Sequence, residues 1–138
     1  MKQVLVFVVL ITLTLVATSA GCMGLSETTK TDTPEATWET YVAAFNRGDS
    51  DTVYSLLSNT AKAEKSKDSV HNTINALVTS SVKYDSYNIV KKDVTGDTAT
   101  LEVENTFFVQ GYHKTSTDTL NFIKEGDGWK LQKFHTPH

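Results

Sequence analysis

Tyr41-Val42-Ala43-Ala44-Phe45-Asn46-Arg47-Gly48-Asp49-Ser50-Asp51 reads as the end of one helix, a tight turn and the start of another. Tyr41, Val42 and Phe45 share helical spacing with Trp38 upstream, which makes one apolar face. Asn46-Arg47-Gly48 stops that helix, because glycine takes the left-handed C-terminal conformation without a steric penalty. Asp49 or Ser50 then offers a capping oxygen to a second helix. The matching start lies upstream in Thr33-Pro34-Glu35: a capping hydroxyl, proline in the first helical position and an acid in the first turn.

Downstream, Val53, Leu56 and Leu57 form the buried side of the second, short helix. Ser58 to Lys67 is polar and carries no strong signal. A third helix from about Asp68 to Ser80 buries Val70, Ile74, Leu77 and Val78. The period then changes from 3.6 to 2. Val82 to Val94 is a strand, and Gly96-Asp97 a turn. Ala99, Leu101, Val103, Asn105, Phe107 and Val109 alternate with Thr100, Glu102, Glu104, Thr106 and Phe108 as a second strand. Gly111 marks a turn before a third strand, His113 to Lys124. Gly126-Asp127-Gly128 is a hairpin turn leading to a last strand, Trp129 to Phe134. The residues His135-Thr136-Pro137-His138 are expected to fray. Helices first and four strands after predict an α+β domain: three N-terminal helices packed on one side of a four-stranded antiparallel sheet.

The first 21 residues read as a signal segment. Lys2 supplies the positive start, Val4 to Val16 is apolar apart from Thr12 and Thr14, and small residues follow as far as Cys22. The apolar stretch is short for a membrane span, which needs about 20 residues. Ser19-Ala20-Gly21-Cys22 resembles the lipobox of prokaryotic lipoproteins, with serine where leucine is usual. Lipidation is therefore expected at Cys22, with residues 22–33 as a Thr-, Ser- and Gly-containing tether and 34–138 as the domain. This implies an exported protein on the outer face of the cytoplasmic membrane or cell envelope. The alternatives are a cleaved signal with a free cysteine and an uncleaved anchor helix.

Charge and cysteine narrow the function. Lys2 is the one basic residue of the leader, so 12 of the 13 basic residues face 16 acidic ones in the remainder, a net −4. A mildly acidic domain argues against nucleic acid. One cysteine excludes an internal disulfide and a thiolate metal cluster. No phosphate loop, nucleophile elbow or metal-ligand spacing occurs, so no cofactor is expected.

The stretch from Tyr41 to Asp51 resembles the opening of the nuclear transport factor 2-like superfamily, its ketosteroid isomerase branch above all. Phe107-Phe108-Val109-Gln110-Gly111, Asn121-Phe122 and Gly126-Asp127-Gly128-Trp129-Lys130 extend the resemblance over about Pro34 to Phe134. It implies a cone: a curved sheet wrapped around a long helix, leaving an apolar pocket. In that cone Trp38, Tyr41, Phe45, Phe107, Leu120 and Phe122 would line the pocket. The isomerases use a tyrosine and a neutral acid as an oxyanion hole and an aspartate as base, a family that serves as a standard illustration of tuned acids. On the resemblance, the tyrosine falls on Tyr41, the base on Lys65 beside Glu64, and the oxyanion acid on Leu120. A lysine at neutral pH is no carboxylate base, and leucine donates no hydrogen bond.

Other groups have plain readings. His71 reads as a boundary residue bonded to backbone, His113 as a solvated strand residue, and His135 and His138 as part of a frayed tail. Glu102 and Glu104 fit the solvent face, and Lys91-Lys92 a solvated strand edge. Asp118 shares a strand face with Leu120 and is expected to point into the cone. Three hypotheses follow. The first is a non-catalytic domain that binds a small apolar ligand or a partner protein. The second is an isomerase- or cyclase-type enzyme using Tyr41 with Glu64 or Asp118. The third is an envelope protein acting through homodimerisation of its sheet.

Overall fold

The computed structural model describes residues 31–138, Asp127 excepted. The signal segment, Cys22 and the tether as far as residue 30 lie outside the described residues, as does Asp127 in the last hairpin turn.

Thr33 caps α1 (Pro34–Asn46): its hydroxyl accepts from the Ala36 N–H. Gly48 ends the turn at φ +72°, where a side chain would be strained. Asp49 caps α2 (Ser50–Ser55), accepting from the Thr52 N–H at 3.0 Å and the Thr52 hydroxyl at 2.7 Å. The polar stretch without a sequence signal contains a further helix, α3 (Asn59–Glu64), capped by Ser58. The domain therefore has four helices where three were predicted. Ala61 is the one buried residue of α3, so no apolar period betrays it. Its position is set from outside, by the Ser58 N–H donating to the Leu131 carbonyl at 2.7 Å. Ser66 caps α4 (Lys67–Thr79), which buries Val70 and Ile74 fully; Leu77 and Val78 are half-buried.

The strands are β1 (Lys83–Thr95), β2 (Thr98–Val109), β3 (Tyr112–Glu125) and β4 (Gly128–Leu131), paired antiparallel in that order. The predicted alternation holds through β2. Ala99, Leu101, Val103, Asn105 and Phe107 are buried on the inner face with Leu120 and Phe122 of β3. β1 carries two register shifts, between Tyr84 and Ser86 and between Ile89 and Lys91. Such bulges bend a strand and deepen its twist. They curve the sheet around α1, which gives the α+β cone.

α1 lies along the inner face and supplies Trp38, Tyr41, Val42, Ala44 and Phe45 to the core. Asn46 ties the end of α1 to β1: its amide donates to the Tyr84 carbonyl at 2.7 Å and accepts from the Tyr84 N–H at 2.8 Å. Beside β4, the Leu131 N–H donates to the Leu56 carbonyl at 2.9 Å and the Trp129 N–H to the Thr31 carbonyl at 2.7 Å. The chain therefore enters the domain next to β4.

The outer face pairs Thr100 with Asn121, Glu102 with Thr119, Glu104 with Thr117 and Thr106 with Thr115. The exposed large hydrophobics among the described residues are Val90, Val94 and Tyr112. The same outer face carries Phe108 and Ile123, both half-buried, at its two ends. Lys92 is more than a solvated edge residue: it pairs with Glu35 of α1, and Lys91 is exposed. Burial alone would raise the Glu35 carboxyl, but Lys92 and nearby hydrogen bonds bring it below the usual range.

Candidate functional site

The inner end of the cone is built on Trp38 and Tyr41, one helical turn apart on α1. Their rings stack at 5.1 Å and 15°. Tyr84 of β1 stands edge-on to Trp38 at 5.6 Å and to Phe45 at 5.2 Å. The six side chains expected to line a pocket, Trp38, Tyr41, Phe45, Phe107, Leu120 and Phe122, are each at most 1% exposed and belong to one packed cluster. They fill the space that the resemblance would leave for a ligand.

The residues after β4 close what remains. β4 stops at Leu131, short of the predicted Phe134, and the chain turns back over the cone. Of residues 135–138, expected to fray, His135 and Pro137 pack onto the domain while His138 is exposed. The Tyr41 hydroxyl donates to the His135 carbonyl at 2.5 Å and accepts from the His135 N–H at 3.1 Å. The His135 ring stands edge-on to Trp38 at 6.2 Å. Pro137 is buried. Local sequence made this tail look mobile, because it has no period and no apolar run. A partner 94 residues away in the chain holds it instead.

Asp118 does point inward, as expected. Its Oδ2 accepts from Asn105 Nδ2 at 2.8 Å and from the Ser116 hydroxyl at 3.2 Å. Its Oδ1 lies 3.6 Å from His138 Nε2. Burial pushes the Tyr84 phenol far above its ordinary value, and the nearby Tyr41 and Asp118 add to the rise. Burial does the same to Tyr41, against the smaller pull of its His135 backbone bond. Both phenols are therefore neutral donors at any physiological pH. Two buried polar atoms beside this cluster have no hydrogen-bond partner among the described residues: Trp38 Nε1 and Asn105 Oδ1.

Glu64 does not join the site. It is exposed at the end of α3, and Lys65 beside it is exposed too. Leu120 is fully buried among apolar side chains. So Tyr41 and Asp118 share the cone, while Glu64 is left on the surface. Asn105, Tyr84 and His135 also belong to the site. Asn105 had a sequence signal, as the one amide on an otherwise apolar strand face. Tyr84 and His135 had none, because their roles depend on long-range packing.

The remaining histidines are peripheral. His71 is exposed and lies within hydrogen-bonding distance of two side chains, Ser50 Oγ at 2.8 Å and Asn75 Nδ2 at 2.9 Å, rather than a backbone group. His113 is exposed but not merely solvated, with Nδ1 2.6 Å from Asp85 Oδ2. Among the described residues, no three His, Cys, Asp or Glu side chains come together as a metal site. No helix among them is long and apolar enough to cross a membrane. A shallow hollow of about 340 Å³ opens elsewhere, between Asn46, Val78, Ser81, Val82, Lys83 and Phe108. Its amide, on Asn46, is already committed to Tyr84.

The half-buried His135 makes tail docking depend on pH. Burial lowers its imidazole below the ordinary value of 6.5. Asp118 pulls the other way, and Lys133 and His138 add to the lowering. A released tail binds a proton more readily than a docked one. Docking is thus at full strength above 6.5 and weakens as pH falls through the docked value. Titration of the His135 ring protons by NMR should give a midpoint below 6.5, with the His135 amide losing protection on the acid side. A midpoint at or above 6.5 would contradict a docked, desolvated ring.

Comparison with known proteins places this geometry. No curated protein matches the chain in sequence. Its fold is similar to a SEC-C motif containing protein from Rhodopseudomonas palustris, with TM-score 0.64 and 16% identity over 74% of this chain and 77% of that one. It is also similar to an NTF2-like protein with a cystatin-like fold from Novosphingobium aromaticivorans, with TM-score 0.56 and 19% identity over 70% and 73%. A candidate dehydratase of the NTF2-like family from Streptomyces avermitilis gives 0.56 and 18% over 72% and 89%. Identities this low show the fold alone. The sequence profile of the NTF2-like N-terminal transpeptidase domain matches residues 33–133, from the cap of α1 to just beyond β4. The chain belongs to the family of NTF2-like N-terminal transpeptidase domains.

Proposed function

We propose that this chain is an exported recognition domain, held at the membrane by lipid on Cys22, which engages a partner protein and catalyses no reaction itself. The observation that carries this reading is the filled cone. An isomerase-type site needs a free phenol, a neutral acid and a carboxylate base around one substrate. Here the Tyr41 hydroxyl spends both its donor and an acceptor on His135, Leu120 stands where the acid would be, and Glu64 is on the surface. Aromatic side chains occupy the space a small apolar ligand would take, which favours a partner protein. The family's description as an N-terminal domain of transpeptidases is in keeping with a domain that accompanies an enzyme. The leader supports export through its basic start, apolar stretch and Ala20-Gly21-Cys22 exit.

The anchor is tested with the full chain and Cys22→Ser, each expressed in its own host and partitioned between detergent and water. The parent should follow the detergent, with added lipid mass on its N-terminal peptide, and the variant should follow water. A parent in the aqueous phase with an unmodified Cys22 would remove the lipid anchor from the proposal.

A further inference from the structure

The tail is held in an unusual way. Tyr41 reads the backbone of His135, not its side chain: one buried hydroxyl takes both the N–H and the C=O of a single residue. Any extended residue offers the same pair. Around it lie an aromatic wall, Trp38, and an amide–carboxylate pair, Asn105 and Asp118, which meets the tail at His138. These are the parts of a site for a peptide strand. The tail also leaves work undone. Trp38 Nε1 is a buried donor without an acceptor and Asn105 Oδ1 a buried acceptor without a donor, in residues that are 0% and 1% exposed. Trp38 meets the tail directly at the His135 ring, and Asn105 stands one side chain behind it, bonded to the Asp118 that faces His138.

We infer that the closed end of the cone is a peptide-binding site, occupied in this structure by the chain's own residues 134–138, and that an extended segment of a partner protein exchanges with them. This deepens the recognition role proposed above by giving the partner's chemistry. The incoming segment carries one residue whose backbone N–H and C=O face Tyr41, a neighbouring carbonyl for Trp38 Nε1 and a donor for Asn105 Oδ1. Satisfying one of those stranded atoms is worth roughly ten-fold in affinity. A foreign segment that reaches both outbids a tail that reaches neither. The tail nonetheless has the advantage of being tethered, at an effective concentration on the order of millimolar. It therefore screens out weak ligands, and the apparent affinity for a peptide is the intrinsic affinity multiplied by the fraction of time the site is open.

The test uses a fluorescein-labelled peptide of sequence Lys-Phe-His-Thr-Pro-His, that of residues 133–138, and the full chain in detergent micelles. Three proteins are compared by anisotropy: the parent, a chain ending at Lys133, and the full-length double variant Phe134→Ser with Pro137→Ser. The double variant loosens the tail without removing any residue of the cone, and serves where the shortened chain does not fold. Circular dichroism establishes folding in each case. The expected result is peptide binding at least about ten-fold tighter by the folded, tail-loosened protein than by the parent, as uncovering the site requires. Adding Tyr41→Phe should then weaken binding about ten-fold, through loss of the donor to the peptide carbonyl. Equal affinity in parent and tail-loosened proteins would overturn the inference, and so would a Tyr41→Phe change without effect. Neither readout depends on lipidation, so a failed anchor and a failed peptide site are told apart.

Discussion

Trp38→Ala is expected to destabilise the domain by about 3–5 kcal/mol, the cost of truncating a fully buried aromatic side chain and leaving a cavity. Trp38 is 0% exposed and touches three other rings: it stacks on Tyr41 and meets Tyr84 and His135 edge-on. Removing it unsupports α1, the start of β1 and the tail together. Against a total stability of about 5–15 kcal/mol for an ordinary domain, that is a large fraction. Urea denaturation followed by circular dichroism should show the midpoint falling by more than 1 M, given a slope of about 1–3 kcal/mol per M. Glu104→Ala on the outer face should stay within about 0.5 kcal/mol of the parent. A Trp38→Ala loss below about 1 kcal/mol would mean that the aromatic cluster is loosely packed, and the filled-cone argument would go with it.

Leu120→Asp should be at least as damaging. It places a carboxyl where the isomerase resemblance puts the oxyanion acid. The side chain is fully buried and pairs across the sheet with Leu101, also fully buried. Losing the leucine costs about 2–5 kcal/mol, and burying an unpartnered polar group adds about 1–3. Burial would raise the new carboxyl above the ordinary aspartate value near 3.9. The variant should therefore be less unstable at pH 4 than at pH 7, because its penalty grows as pH rises through the unfolded value. Denaturation at the two pH values checks both sign and size. A well-folded variant within about 1 kcal/mol of the parent at pH 7 would show that the cone can house the family's acid after all, and would reopen the enzyme reading.

These expectations rest on contacts of very different legibility. Helix starts and stops at Thr33-Pro34, Asn46-Arg47-Gly48 and Asp49 are local chemistry, each set by one hydroxyl, glycine or carboxylate and the backbone groups within three residues. The strand alternation from Ala99 to Phe107 is equally local, because successive side chains point to opposite faces. Inward-pointing Asp118 could be read from parity with Leu120. α3 was not legible, since its buried contact is Ala61 alone and its anchor is the Leu131 carbonyl. Nor was the loss of Glu64 from the site, because the direction of a polar turn is set by what packs around it.

Sequence by itself determined the order of the elements other than α3, the antiparallel α+β class and the family's opening motif, because capping and periodicity act over a few residues. Tertiary structure decided whether the cone is hollow or full and what becomes of the last residues. Those outcomes turn on side-chain volume summed over α1, β2 and β3, and on one hydroxyl meeting one peptide 94 residues away. No local pattern carries that information, because the free energy of such contacts exists only once the distant segments are brought together.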